Sequence, residues 1–114
     1  MQTANLDLEK VPESNGSLVV KLKGKLVLET VSNFIQTLRN DPAERLVLDM
    51  SGVSFVDSAG VGALASLFVP RRNVGKTFAL AGLTPQAEAM LQVVGLVKLL
   101  PSFSAVEAAL EAKD

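Results

Sequence analysis

The residues of this chain best suited to chemistry fall in one stretch, Leu46 to Phe68, reading LVLDMSGVSFVDSAGVGALASLF. Leu46 to Met50 is an almost continuously apolar run, the pattern of a strand buried on both faces of a parallel sheet. Val61, Leu64, Ala65 and Phe68 repeat at helical spacing until Pro70 and the pair Arg71-Arg72, whose charges suit a helix carboxyl terminus. Between strand and helix the sequence predicts a loop with an acid near each end, Asp49 and Asp57, and places Ser58 in the first helical turn. A serine hydroxyl there is a good phosphoryl acceptor, because the terminal N–H groups and the helix dipole accommodate a group of about two negative charges. On the face opposite the core stripe, Gly62, Ala63, Ser66 and Leu67 are small or apolar and let another backbone approach closely. A phosphate beside Asp57 would add charge and bulk that oppose docking against an acidic or apolar partner, so local electrostatics could act as a switch.

The same residues have plainer roles. Ser58 also fits a capping or first-turn serine, Asp57 a capping carboxylate, Asp49 a side chain that bonds the loop amides after it, and Ser51 and Ser54 turn residues. Spacing alone does not separate these readings. Gly60-Val61-Gly62-Ala63-Leu64-Ala65 satisfies the dinucleotide pattern G-x-G-x-x-A. Its glycines, however, lie about ten residues past the predicted strand, and no acid stands about 20 residues further on, at Leu80-Ala81-Gly82. A phosphate-containing ligand in the Asp49 to Ser58 loop is a third option, although the phosphate-loop pattern GxxxxGK[ST] is absent.

The elements that must hold this stretch are legible on either side. Leu6 to Val11 and Leu18 to Leu26 alternate in hydrophobicity, with Val19, Lys21 and Lys23 on a wetter face, and Pro12 to Ser17 supplies turn formers, so a hairpin is predicted. Asn15-Gly16-Ser17 also fits a glycosylation acceptor, which reads more simply as the turn. Thr30 is a candidate N-cap for a helix carrying Val31, Phe34, Ile35 and Leu38, closed by Asn40-Asp41-Pro42. Phe78 to Ala81 reads as a buried strand. Thr84-Pro85 then opens a helix through Ala87, Met90, Leu91 and Val94, with Gly95 to end it. Val97 to Leu100 is predicted as a last strand, and Ser104 to Glu107 has capping-box spacing ahead of Val106, Ala109 and Leu110. The order predicts an α/β fold, one domain over residues 1–114, with a small mixed sheet of about five strands and about four helices packed against it.

Composition narrows the function classes. The 114 residues contain no cysteine and no histidine, which removes disulfides, thiolate chemistry, imidazole bases and the commonest metal ligands. Catalytic, metal and cofactor-binding residues are therefore expected to be none, and the protein is not expected to be an enzyme. Net charge is −1 and the aromatics are five Phe without Trp or Tyr, so there is no basic stripe or stacking platform for nucleic acid. Every apolar run is interrupted well short of the roughly 18 residues of a membrane span. Met1 to Asp7 lacks the pattern of a secretory or mitochondrial leader, and a cytoplasmic location is expected.

The segment VLDMSGVSFVDSAGVGALASL, centred on Leu48 to Leu67, with Gly24 closing an earlier strand, resembles the STAS family of anti-sigma-factor antagonists. The family's element order is compatible with nearly the whole chain. The resemblance implies that the unphosphorylated protein binds an anti-sigma factor that is also a serine kinase, releasing a sigma factor for transcription. Phosphorylation reverses this, and a serine phosphatase restores binding. In the family's Asp-Ser-Ser/Thr-Gly motif the serine after Asp is the acceptor, which falls on Ser58 after Asp57. Asp57, Ser58, Ala59, Gly60, Gly62, Ala63 and Ser66 are then the expected partner-binding residues, with Asp49 supporting the loop. Two positions depart from the family pattern: Ala59 replaces a frequent second Ser or Thr, and Gly24-Lys25-Leu26-Val27 stands where many members read Gly-Glu-Leu-Asp. A second resemblance-based reading is a regulatory STAS-like subunit of a membrane transporter, binding the transporter's ATPase component.

Overall fold

The computed structural model describes residues 4–112, so the ends of the expected 1–114 domain lie outside the described residues. The chain opens with β1 (Leu6–Pro12) and β2 (Ser17–Leu26), paired antiparallel as the alternation predicts. Their connection is tight because Asn15 and Gly16 both take the left-handed backbone, at φ 63° and 76°, which asparagine and glycine tolerate best. There follow α1 (Val31–Leu38), β3 (Arg45–Val56), α2 (Ser58–Asn73), β4 (Thr77–Ala81), α3 (Pro85–Val94), β5 (Ser102–Phe103) and α4 (Val106–Glu111). Among the described residues this gives the expected mixed sheet of five strands with four helices, in the order β1-β2-β3-β4-β5, all but β1 parallel.

The strand period divides the core in two. Leu18, Val20, Leu22, Leu46, Leu48, Met50, Phe78 and Leu80 point to one face, where Phe34 and Leu38 of α1, Val61, Leu64 and Phe68 of α2 and Leu91 of α3 cover them. Val19, Val47, Ala79 and Ala81 point to the other and pack with Ala109 of α4. The predicted wet face of β2 is therefore only partly wet: Val19 is buried there, while Lys21 and Lys23 are exposed. Removing each buried Leu or Phe side chain from water contributes about 1.5–3 kcal/mol, and this sets the sheet's register, because a one-residue slip would exchange the two faces.

Four local expectations are corrected. The predicted loop after Met50 is strand: β3 runs on to Val56 beside the second half of β2, with two register shifts that each insert an extra β3 residue. Helix α2 ends at Asn73 with Arg71 and Arg72 in its last turn, as predicted, and holds Pro70 on its exposed side. Thr30 is the N-cap residue of α1, but its side chain makes no cap bond to the helix. It accepts from the Val27 N–H at 3.1 Å and lies 2.8 Å from the Lys25 carbonyl it donates to, which ties off the end of β2. Val97 to Leu100 is a turn that buries Leu100, and the last strand is Ser102–Phe103 beyond Pro101, since four residues with three apolar side chains are too short to show a period that distinguishes strand from turn. The N-cap of α4 is Ala105 without a side-chain bond, so the Ser104 to Glu107 capping box does not form. Thr84 and Gly95 behave as predicted. The Thr84 hydroxyl accepts from the Ala87 N–H at 3.2 Å, and Gly95 ends α3 in the left-handed conformation.

Arg71, read from sequence as a charge at a helix end, is 5% exposed. Its guanidinium donates to the carbonyls of Thr77, Asp41 and Ala43, joining the end of α2 to the segment before β3 and to the first residue of β4. Burial pushes its pKa below the ordinary value, opposed by the nearby charges of Asp41 and Glu44. No helix among the described residues is long and apolar enough to cross a membrane.

Candidate functional site

The candidate site is built where the carboxyl ends of β2 and β3 meet the start of α2. Asp57 is the N-cap of α2, with an extended backbone, φ −101° and ψ −175°, that turns the chain from strand into helix. One carboxylate oxygen accepts from the Gly60 N–H at 2.8 Å, and the other accepts from the Leu28 N–H at 3.1 Å. The Asp57 N–H donates to the Leu26 carbonyl at 3.3 Å. One residue thus fastens the end of β3, the start of α2 and the segment leaving β2. Asp57→Ala is expected to lower stability by about 1–2 kcal/mol, the upper range of an N-cap loss, in a urea titration.

Gly60 makes this junction possible. A Cβ built there would lie 2.2 Å from the Leu26 carbonyl oxygen and 3.0 Å from Val56 Cγ1, so only a residue without a side chain lets α2 start this close to β2. Ser58 follows the cap as the first helical residue and is exposed, at the positive end of a 16-residue helix. A phosphate on its hydroxyl would meet solvent and the helix terminus without entering the core.

The outward face of α2 differs from the one predicted. Ser58, Gly62, Ser66 and Val69 are exposed and Ala59 is half-buried, whereas Gly60, Ala63 and Leu67 are buried. The reason is that α2 lies on the sheet with α1 and α3 on its flanks and so buries a broad arc, Gly60, Val61, Ala63, Leu64, Leu67, Phe68 and Arg71, instead of a narrow stripe. Of the expected partner-binding residues, Ser58, Ala59, Gly62 and Ser66 stand on one accessible strip, Asp57 is its clamp, and Gly60 and Ala63 lie beneath it. Leu28, 67% exposed, and Phe55, 43% exposed, add apolar surface on the segments that lead into and out of Asp57's hydrogen bonds.

Asp49 bonds close to itself, as the plainer reading had it: its Oδ1 accepts from the Ser51 N–H at 3.1 Å and the Ser51 hydroxyl at 2.7 Å. The rest of β3 separates it from Ser58, so it supports a strand bulge and not the turn that carries the serine. The Ser54 hydroxyl donates to the Gly24 carbonyl at 3.2 Å. Sequence reasoning passed over Leu28, Phe55 and Gln86. An exposed apolar residue, in a turn as at Leu28 or on a strand as at Phe55, carries no sequence signal, and neither does a glutamine whose partner is 30 residues away. Among the described residues no group of three or more acidic side chains is arranged to hold a metal ion.

The STAS domain family model matches residues 9–109, which takes in the whole site and nearly the whole sheet. The chain belongs to the STAS domain family. An anti-sigma F factor antagonist from Paenibacillus polymyxa is 26% identical over 104 residues, 87% of each chain. The crystal structure of an anti-sigma factor antagonist from Mycobacterium paratuberculosis superposes with a TM-score of 0.78 at 22% identity, covering 93% of this chain and 92% of that one. The Bacillus cell fate determinant SpoIIAA in its phosphorylated form superposes at 0.68 and 21% identity, covering 94% and 100%.

Proposed function

We propose that this protein is an anti-sigma-factor antagonist switched by phosphorylation at Ser58. Unphosphorylated, it binds an anti-sigma factor that is itself a serine kinase, and so frees a sigma factor. Phosphorylated, it is released, and a serine phosphatase returns it to the binding form. The observation that carries this reading is the placement of Ser58: exposed, first in α2, directly after the Asp57 clamp, at one end of the strip formed by Ala59, Gly62 and Ser66. Docking of a partner on that strip would bring it against the hydroxyl, and a phosphoryl group there introduces about two negative charges beside the Asp57 carboxylate. In this role the chain is a kinase substrate and binding partner without catalytic residues of its own. The nucleotide is held by the partner, and the exchange takes place in the cytoplasm.

The test is a pull-down from native cytosol with wild type, Ser58→Ala and Ser58→Asp, with partners identified and intact mass followed after ATP addition. The expected result is a kinase-like anti-sigma factor on wild type and Ser58→Ala, weak or no capture by Ser58→Asp, and a mass gain of one phosphoryl group on wild type alone. Transporter subunits held equally by all three forms would overturn the proposal in favour of the transporter reading.

A further inference from the structure

Strand β3 outruns its neighbour. β4 pairs with it only from Arg45 to Asp49, so the last residues of β3 have β2 on one side and no strand on the other. At the tip of this overhang, one side chain takes the place of the missing strand. Gln86 Oε1 accepts from the Val56 N–H at 2.8 Å, and Gln86 Nε2 donates to the Val56 carbonyl at 2.7 Å. A primary amide offers one acceptor and a donor in the same plane, which is the pair a neighbouring peptide would present. The next residue bonds the opposite way, Asp57 N–H to the Leu26 carbonyl. The end of β3 is therefore gripped from both sides immediately before the chain turns into Ser58.

We infer that Gln86 is a positioning residue for the Ser58 switch: its amide fixes Val56, and through Val56 the Asp57 cap and the serine, to the start of α3. Gln86 is suited to this because its own backbone is held. It follows Pro85 at the first position of α3, and the Thr84 hydroxyl caps that helix at Ala87. The two bonds also satisfy polar groups beside a Val56 that is 1% exposed, where an unmade bond costs more than a made one contributes. Displacement of α3 would thus be transmitted to the Asp57 turn through a pair of short bonds. The consequence for phosphorylation rests on the proposed function, whereas the positioning itself does not.

The test uses the full chain carrying Gln86→Leu or Gln86→Glu, with amide hydrogen exchange read residue by residue. In Gln86→Leu, Val56 is expected to exchange about tenfold faster, as are Gly60 and Val61, whose N–H groups bond Asp57, while Val47 and Leu80 in the sheet centre keep their rates. Gln86→Glu retains an acceptor for the Val56 N–H but sets a carboxylate against the Val56 carbonyl. It is expected to leave Val56 slow and still accelerate Gly60 and Val61. With the kinase that modifies wild type, kcat/KM for Ser58 is expected to fall about tenfold in both variants. Wild-type exchange at Gly60 and Val61 in Gln86→Leu, or accelerated exchange with unchanged kcat/KM, would overturn the inference. Failure of wild type to be phosphorylated at all would instead remove the proposed function, and the exchange rates would still decide the positioning role.

Discussion

Arg71→Met is expected to cost about 3 kcal/mol or more of folding stability, one of the largest single-residue effects in the chain. Methionine conserves the length of the stem and most of the packing but removes every donor, leaving the carbonyls of Thr77, Asp41 and Ala43 without the guanidinium that now satisfies them. An unsatisfied buried polar group costs about 1–3 kcal/mol. Against this stands the relief of a desolvated charge, which the lowered Arg71 pKa reports and which Asp41 and Glu44 already offset in part. The balance is negative because three acceptors lose one donor group at once. At about 4–8 °C per kcal/mol for a domain of this size, the midpoint of thermal unfolding should fall by more than about 12 °C. Arg71→Lys, with a single charged nitrogen in place of a planar fork, should fall between the two. A urea titration of Arg71→Met showing a loss below about 1 kcal/mol at unchanged slope would mean that the three bonds contribute little.

Arg71 also marks the boundary of what could be read from residue order. Features held within a few positions were legible: Asn15-Gly16 in the hairpin, Thr84-Pro85 and Gly95 at the two ends of α3, and the apolar run Leu46 to Met50 at the sheet centre. Each depends on a backbone preference or a period that the sequence displays directly. The interactions that tie the fold and the site together join residues 28 to 30 positions apart: Arg71 to Asp41 and Ala43 at the far end of α2, and Asp57 to Leu28 and Gln86 to Val56 at the site. Nothing local distinguishes a glutamine that will bond a strand from one that will meet water. The same holds for β3 beyond Met50, where Ser51, Gly52 and Ser54 have turn composition but are drawn into the sheet by pairing with β2. Leu67 and Ala63 read as outward from a narrow helix stripe, and the flanking helices widen the buried arc to include them. Residue order places Ser58 in the first turn of α2, and its role as acceptor is what the family resemblance implies; its exposure is what the fold adds.

Two glycines two residues apart, and so on different faces of the helix, separate the roles of α2 in the fold and in docking. Gly60→Ala is expected to destabilise by about 2–3 kcal/mol, because the new methyl would meet the Leu26 carbonyl oxygen, 2.2 Å from an ideal Cβ, and a backbone carbonyl within a parallel strand pair has little room to yield. Gly62→Ala meets nothing within 4 Å, and there the helix propensity of alanine should raise stability by about 0.5–1 kcal/mol. Under the proposed function the order is reversed for what each substitution says about the partner. Gly62 is on the accessible strip beside Ala59 and Ser66, so a methyl there holds an opposing backbone away, and affinity for the anti-sigma factor should fall about tenfold in a more stable protein. Any loss of affinity in Gly60→Ala would follow instead from displacement of the whole α2 terminus and should appear together with faster exchange at Val61. Paired urea titrations and partner titrations on the two variants read both effects. Wild-type affinity in Gly62→Ala would move the docking surface off the α2 strip and toward Leu28 and Phe55, because a contact that accepts an added methyl at its centre is not the close approach that small residues at 59, 62 and 66 allow.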